Sequence, residues 1–139
     1  MNLKICSETV TIETELLSEK ESEIRSQIKE YLHGERENFD LQKTFPKNFT
    51  GLTMKEIDKI PYGKTKTYGE IAEKLDSSAV AVGQACGKNP IPLIVPCHRV
   101  TSKNGMGGYA YGQDMKRKLL NLEKSKADNR LEAEFPAKI

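Results

Sequence analysis

Prolines at positions 92 and 96 bracket the apolar run Ile91-Pro92-Leu93-Ile94-Val95, which leads directly into Pro96-Cys97-His98-Arg99-Val100. Two prolines this close together forbid an ordinary helix, and the bulk of the side chains between them demands burial. The stretch therefore predicts a buried, irregular segment that delivers one thiol and one imidazole to the end of a core element. Cysteine is the strongest sulfur nucleophile in proteins once its thiolate is favoured. Adjacent residues of an extended chain point to opposite faces, so coupling His98 to Cys97 requires a bent backbone or a bridging water.

The rest of the chain sets the frame for that segment. Its 139 residues, 37% hydrophobic and 30% charged, suit one domain with a small N-terminal appendage. A net charge of +2 does not by itself announce nucleic-acid binding. Three cysteines (Cys6, Cys86 and Cys97) form no disulfide framework, which suits a reducing compartment. Lys4, Glu8, Glu13 and Glu15 interrupt any early apolar stretch, and no run is long enough to span a bilayer. A cytoplasmic protein (nuclear in a eukaryote), with no membrane partner, is expected.

Leu3, Ile5, Val10 and Ile12 alternate with polar residues and predict one or two short strands. Ser18 and Glu21 have capping-box spacing, and Ile24, Ile28, Tyr31 and Leu32 then recur at helical spacing until Gly34. The segment from Gln42 to Asn48 reads as a linker. Phe49, Thr53, Met54, Ile57 and Ile60 predict a second amphipathic helix, stopped by Pro61. Thr67 and Glu70 form another capping box, opening a short helix with Ile71, Ala72 and Leu75 inward. After the turn Asp76-Ser77-Ser78 a further helix runs from Ala79 to about Gly87, giving a helix-turn-helix. Its expected inner face is Ala79, Val82, Gly83 and Cys86, with Val80, Gln84 and Lys88 facing outward. Four glycines between Gly105 and Gly112 predict a loop that approaches a ligand closely. A last helix spans about Gln113 to Lys124, with Met115, Leu119 and Leu122 inward. The polar remainder reads as a loosely attached tail.

Together these residues resemble the O6-alkylguanine-DNA alkyltransferase family. The likeness rests on Ile60-Pro61-Tyr62-Gly63 with Thr67-Tyr68-Gly69, on Val82-Gly83 and Asn89-Pro90, and on Pro96-Cys97-His98-Arg99-Val100. Gly108-Tyr109, Lys116 and Leu119-Leu120 with Glu123 complete it. The resemblance covers roughly residues 49–124. The expected fold is α+β: an N-terminal sheet-and-helix unit (1–45), a mainly helical, winged-helix-like domain carrying the helix-turn-helix (46–125), and the tail (126–139).

The resemblance also implies a chemistry. An alkyl group passes from O6-alkylguanine, flipped out of double-stranded DNA, irreversibly to the protein's own cysteine, so each molecule acts once. Cys97 is then the nucleophile, His98 the base acting through water, and Glu123 the group that orients His98. Tyr68 and Tyr109 wall the base pocket. Val100 and Ala110 offer backbone groups to the base edge, and Asn89 fixes the turn behind the site. Tyr68, Val80, Ala81, Gly83, Gln84 and Arg99 are the expected DNA contacts. No metal or cofactor is expected, since His33 and His98 are the only histidines and a zinc site lacks ligands once Cys97 and His98 are committed. A monomer is expected, and Cys86 is read as core.

One position departs from the family. Where its members usually carry an arginine that fills the space of the flipped base, this chain has Val80, in a helix entry two residues shorter. Two rival readings have specific weaknesses. A non-catalytic, alkyltransferase-like damage-recognition protein lacks the cysteine, which is present here. A generic Cys-His hydrolase leaves the helix-turn-helix unexplained and predicts turnover.

Overall fold

The computed structural model describes residues 1–125 and 129–135. Strand β1 (Asn2–Ile5) pairs antiparallel with β2 (Glu8–Thr11), with Leu3 opposite Val10. The two-residue connection, Cys6 and Ser7, has positive φ at both positions, as the twist of a tight hairpin requires. Alternation then puts Leu3, Ile5 and Val10 on one buried face, with Ile12 continuing it.

That face packs in one core with Ile24, Ile28, Tyr31 and Leu32 of α1 (Glu21–Leu32), all fully buried as their spacing predicts. The capping box expected from Ser18 does not form. Lys20 occupies the N-cap without a side-chain bond, and the Ser18 backbone instead donates to Gln42 O, pinning the entry to the linker. Glu21 and Glu23 put negative charge in the first turn, where the helix dipole favours it. Gly34, at φ +78°, ends the helix.

A second difference lies at the C-terminus. Part of the expected tail forms β5 (Ala133–Glu134), which adds to the free edge of β1 and makes a three-stranded sheet of order β2-β1-β5. Leu131 N donates to Leu32 O, and Phe135 lies under the cations of Arg25 and Lys29. Two exposed-looking residues per strand carry little hydrophobic signal, so composition alone reads this segment as loose. The remaining tail positions, 126–128 and 136–139, lie outside the described residues.

In the second half, Asn48 caps α2 (Phe49–Ile57) by accepting from Gly51 N at 2.9 Å. Strand β3 (Lys66–Thr67) leads into α3 (Tyr68–Lys74) through the predicted capping box, Thr67 and Glu70 bonding each other's backbone reciprocally. The turn to α4 (Ala79–Gly87) passes through Asp76 at φ +51°, and Ser78 caps the new helix by accepting from Ala81 N. Helix α4 packs on both α2 and α3, which completes the helix-turn-helix.

The buried face of α4 differs from the expected one. Val82 and Ala85 are buried, Ala79 is exposed, and Gly83 and Cys86 are half-buried on a cavity wall. Contact with α2 as well as α3 rotates the packed stripe by one position, which leaves Gly83 and Cys86 facing sideways. Val80 projects outward as predicted, 70% exposed, beside exposed Gln84 and Lys88.

Strand β4 (Val100–Thr101) runs parallel to β3, tying the chain just after Cys97 to the start of α3. Helix α5 (Gln113–Lys124) follows Gly112 and buries Met115, Leu119 and Leu122 as expected, together with Lys116 and Glu123. Those two charges on an otherwise apolar stripe define what lies between the helices.

Candidate active site

The chain is buried from Ile91 to Val100 and is irregular up to Pro96. Asn89 shapes it. Its Oδ1 accepts from Ile91 N at 3.0 Å, while its Nδ2 donates to Val95 O at 2.9 Å and to Cys97 Sγ at 3.3 Å. Leu93 is held at φ +72°, a conformation a branched, bulky residue adopts only when its surroundings impose it. A short 3-10 turn, Cys97–Arg99, then bends the backbone. Successive side chains of such a turn point about a third of a revolution apart. Cys97 accordingly meets a cavity while His98 is wholly buried in the core.

The cavity, about 320 Å³, is lined by Cys97, Tyr68, Gly83, Cys86, Tyr109 and Ala110, with further glycines completing the wall. That is at the small end of the range for ligand sites, roughly 300–1,000 Å³. Its aromatic edges suit a flat ring. Tyr68 Oη donates to Gly108 O at 3.1 Å, and Gly107, at φ +77°, lies so close to the Tyr68 ring that a Cβ there would sit 2.8 Å from it. The glycine loop thus packs directly on one wall. A comparable cleft on the far side of the segment, lined by Glu37, Asp58, Lys59 and Arg99, has no cysteine, serine or threonine on its wall.

Behind the cavity lies a buried network. Glu123 accepts from His98 Nε2 at 2.7 Å, from Tyr31 Oη at 2.5 Å, from Gly63 N at 3.0 Å and from Arg99 Nε at 2.9 Å. Arg99 also donates through Nη2 to Glu123 and through Nη1 to Ile60 O, and stacks over the Tyr62 ring. The histidine tautomer follows from this network: Nε2 carries the proton donated to the carboxylate, so Nδ1 holds the lone pair. Nδ1 is buried and takes no hydrogen bond from any described residue.

Electrostatics follow from burial. Burial alone would raise the Glu123 carboxyl, but the hydrogen bonds from His98 and Arg99 and the Arg99 charge outweigh it and hold the group at about 2. Burial is the largest influence on His98, and together with the Arg99 and Lys116 charges it outweighs the hydrogen bond and charge of Glu123, so the imidazole rests neutral. Cys97 is raised by burial, against which the Asn89 hydrogen bond and the Lys116 charge act. The resting pair is thus a thiol and a neutral base.

Lys116 is the second buried charge. Its Nζ donates to Val100 O at 2.5 Å and Gly108 O at 2.9 Å, and lies 3.4 Å from Tyr68 Oη. Burial lowers its pKa, while the two thiols nearby act in the opposite sense. One ammonium thereby joins β4, the glycine loop and the head of α3. Among the described residues, no three His, Cys, Asp or Glu side chains converge where a metal ion would sit.

The family model described as 6-O-methylguanine DNA methyltransferase, DNA binding domain, matches residues 48–125, more than half of the chain. The chain belongs to that family. The methylated-DNA–protein-cysteine methyltransferase of Methanocaldococcus vulcanius is 51% identical over 79 residues, which are 57% of this chain and 49% of that protein. The Saccharolobus solfataricus protein of the same name is 54% identical over 81 residues, 58% of this chain and 52% of its own. The chain thus spans about half the length of the curated relatives it matches. Among solved structures, Mycobacterium tuberculosis OGT in complex with DNA superposes with a TM-score of 0.72 at 44% identity, covering 76% of this chain and 68% of that one. An O6-methylguanine DNA methyltransferase from Methanococcus jannaschii gives 0.59 at 34% identity, covering 86% and 74%.

Within this alkyltransferase fold, the residues singled out from sequence are distributed unevenly. Cys97, Tyr68, Tyr109, Ala110 and Gly83 line the cavity, with Asn89 bonded to the Cys97 sulfur behind it. His98 and Glu123 are hydrogen-bonded partners. Val100 stands behind the wall, its side chain in the core and its carbonyl accepting from Lys116. Arg99, expected at the DNA surface, is instead 7% exposed and committed to Glu123. Cys86, expected in the core, shares the cavity wall with Cys97, and burial pushes its thiol up to about 12. Val80, Ala81 and Gln84 lie on the open side of α4.

Two groups, Lys116 and Tyr31, are noted in the sequence without being given a role, although each leaves a signal of one. Lys116 interrupts the apolar stripe between Met115 and Leu119, and Tyr31 puts a phenol on the inner face of α1, where its hydroxyl must find a partner.

Removing the shared carboxylate tests the network. Glu123 titrates near 2 when folded and near 4.5 when not, so its contribution is complete above the higher value and disappears as pH falls towards the lower. Glu123→Gln leaves Arg99 buried without its counter-charge and is expected to cost about 3–5 kcal/mol at neutral pH. The gap to wild type in urea-unfolding free energy should narrow at about pH 3. A gap of equal size at both pH values would contradict the assignment.

Proposed function

We propose that this protein repairs O6-alkylguanine in double-stranded DNA by moving the alkyl group onto Cys97, once per molecule. One observation carries the reading: a thiol on the wall of an aromatic-edged cavity adjoins a neutral histidine whose other nitrogen is fixed by a buried carboxylate. Family membership and the DNA complex of the mycobacterial relative support the same choice of partner.

In this reading the damaged base leaves the stack and enters the cavity between Tyr68 and Tyr109. His98 Nδ1 takes the Cys97 proton through a water molecule, and Glu123 stabilises the imidazolium that results. The sulfur attacks the alkyl carbon in line. A C–S bond forms as the C–O6 bond breaks, and the electron pair leaves with guanine, which takes up one proton. The Tyr68 hydroxyl, 3.4 Å from the Lys116 ammonium, is assigned as the donor to that departing charge. The thioether has no route back to a thiol, which makes the protein a stoichiometric reagent. Action as a monomer is part of this reading. No helix among the described residues is long and apolar enough to cross a membrane. The proposed DNA partner implies work in the cytoplasm or nucleus.

DNA contact is assigned to the open face of α4, with exposed Lys64, Lys66, Lys74, Lys88 and Lys103 around it. Arg99 is left out because of its burial. Cys97→Ser should abolish transfer of a labelled methyl group from DNA while leaving duplex binding in a gel-shift assay nearly intact. Transfer retained by that variant would remove Cys97 as the acceptor.

Val80, 70% exposed on α4, is assigned to the gap left by the flipped base, with a nearby lysine as the alternative. Apolar wedges can occupy a base step, but a valine cannot hydrogen-bond the orphaned partner base. The flipped state is then less populated than with an arginine, and repair is slower by the same fraction. Val80→Arg should accelerate methyl transfer from duplex DNA and leave reaction with the free O6-benzylguanine base unchanged. Equal acceleration of both substrates, or of neither, would place the wedge elsewhere on α4.

A further inference from the structure

We propose that Tyr31 is a positioning residue of the Cys97 site, supplied by the N-terminal unit, which acts through Glu123 to keep His98 neutral and oriented as a base. Tyr31 lies on α1, outside the stretch that the family model matches. Its ring is wholly buried, held against Phe39 with centroids 5.3 Å apart and edge-on to Tyr62 at 6.2 Å. The hydroxyl donates to Glu123 Oε2 at 2.5 Å and stands 3.1 Å from His98 Nε2. The His98 N–H, 2.7 Å from the same oxygen, is therefore shared between carboxylate and phenol. Packing alone does not ask for this hydroxyl, since Ile24, Ile28 and Leu32 fill the same face of α1 with hydrocarbon.

The consequence is electrostatic. A carboxylate that accepts the Tyr31 proton has less charge to offer an imidazolium, so the hydroxyl favours neutral His98. Burial and the Glu123 charge raise the Tyr31 pKa well above its ordinary value, so the phenol stays a donor at every relevant pH. The other groups facing this cluster are accounted for. Arg99 bonds Glu123 from the 3-10 turn, the Gly63 N–H bonds its second oxygen, Lys116 acts on His98 from α5, and the Tyr62 phenol faces Tyr31. None of them contacts both the carboxylate oxygen and the His98 nitrogen as Tyr31 does.

Tyr31→Phe removes one oxygen and keeps the ring. With one hydrogen bond lost from the carboxylate, the His98 midpoint should rise by roughly half a unit to one unit. In reaction with the free O6-benzylguanine base, the variant should be roughly three- to tenfold slower on the acid limb and converge with wild type at alkaline pH. A purely structural tyrosine would instead lower the rate equally at all pH values, and that result would overturn the proposal. The alkyl-transfer reading rests on the function proposed above, but NMR titration of His98 does not. If neither protein reacted with the base, that function would fall, while the His98 midpoint would still decide the role of Tyr31. An unchanged midpoint would refute it. If the variant did not fold, wild type alone would suffice: Nε2–H is the expected His98 tautomer, and a proton on Nδ1 would overturn the proposal.

Discussion

One carboxylate gathers the molecule around Cys97. Glu123 receives donors from α1, from the loop after α2, and from both residues that follow Cys97. An ionised carboxylate without partners is too costly to bury, and here both of its oxygens are occupied. The pull is therefore mutual. The charge is tolerated because these segments converge, and the segments converge where the charge requires it. This is also why the bend at Cys97–Arg99 is well defined: its second and third residues are fixed on Glu123, which leaves the first to face the cavity.

Helix α5 carries a second buried charge, Lys116, two turns before Glu123 on the same packed face. The two have complementary tasks. Glu123 holds the base and its supports, while Lys116 holds the cavity wall by bonding Val100 and Gly108 carbonyls beside Tyr68. Positive potential from Lys116 also lowers the thiol, in opposition to burial. A site that must keep a thiol protonated at rest and yet allow its ionisation benefits from both charges being fixed in advance, because no reorganisation is then needed during the reaction.

Much of this could be read from residue order, and the reason is local. The prolines at 92 and 96, the Thr67 and Glu70 capping box and the alternation of residues 3 to 12 are rules satisfied within a few positions, and each appears as expected. What could not be read depended on partners far away in the chain. Periodicity places Tyr31 on an inner face but does not say that a carboxylate lies opposite it. Arg99, two residues after Cys97, resembles a DNA contact until Glu123 claims it. Ser18 has capping spacing, yet its backbone is drawn to Gln42. The strand at Ala133 exists only because β1 leaves an edge open. Cys86 illustrates a finer limit, since a rotation of α4 by one position moves a thiol from core to cavity.

That last feature sharpens what must be measured. Two thiols share the cavity, but only Cys97 has the Asn89 donor and the adjoining histidine, whereas Cys86 is pushed up to about 12 with neither. Incubation with excess duplex DNA carrying O6-methylguanine, followed by intact-mass and peptide analysis, distinguishes them directly. The predicted result is one gain of about 14 Da per molecule, confined to the peptide containing Cys97, with no further demethylation once the protein is consumed. A methyl group on Cys86, or DNA demethylated in molar excess over protein, would contradict the account.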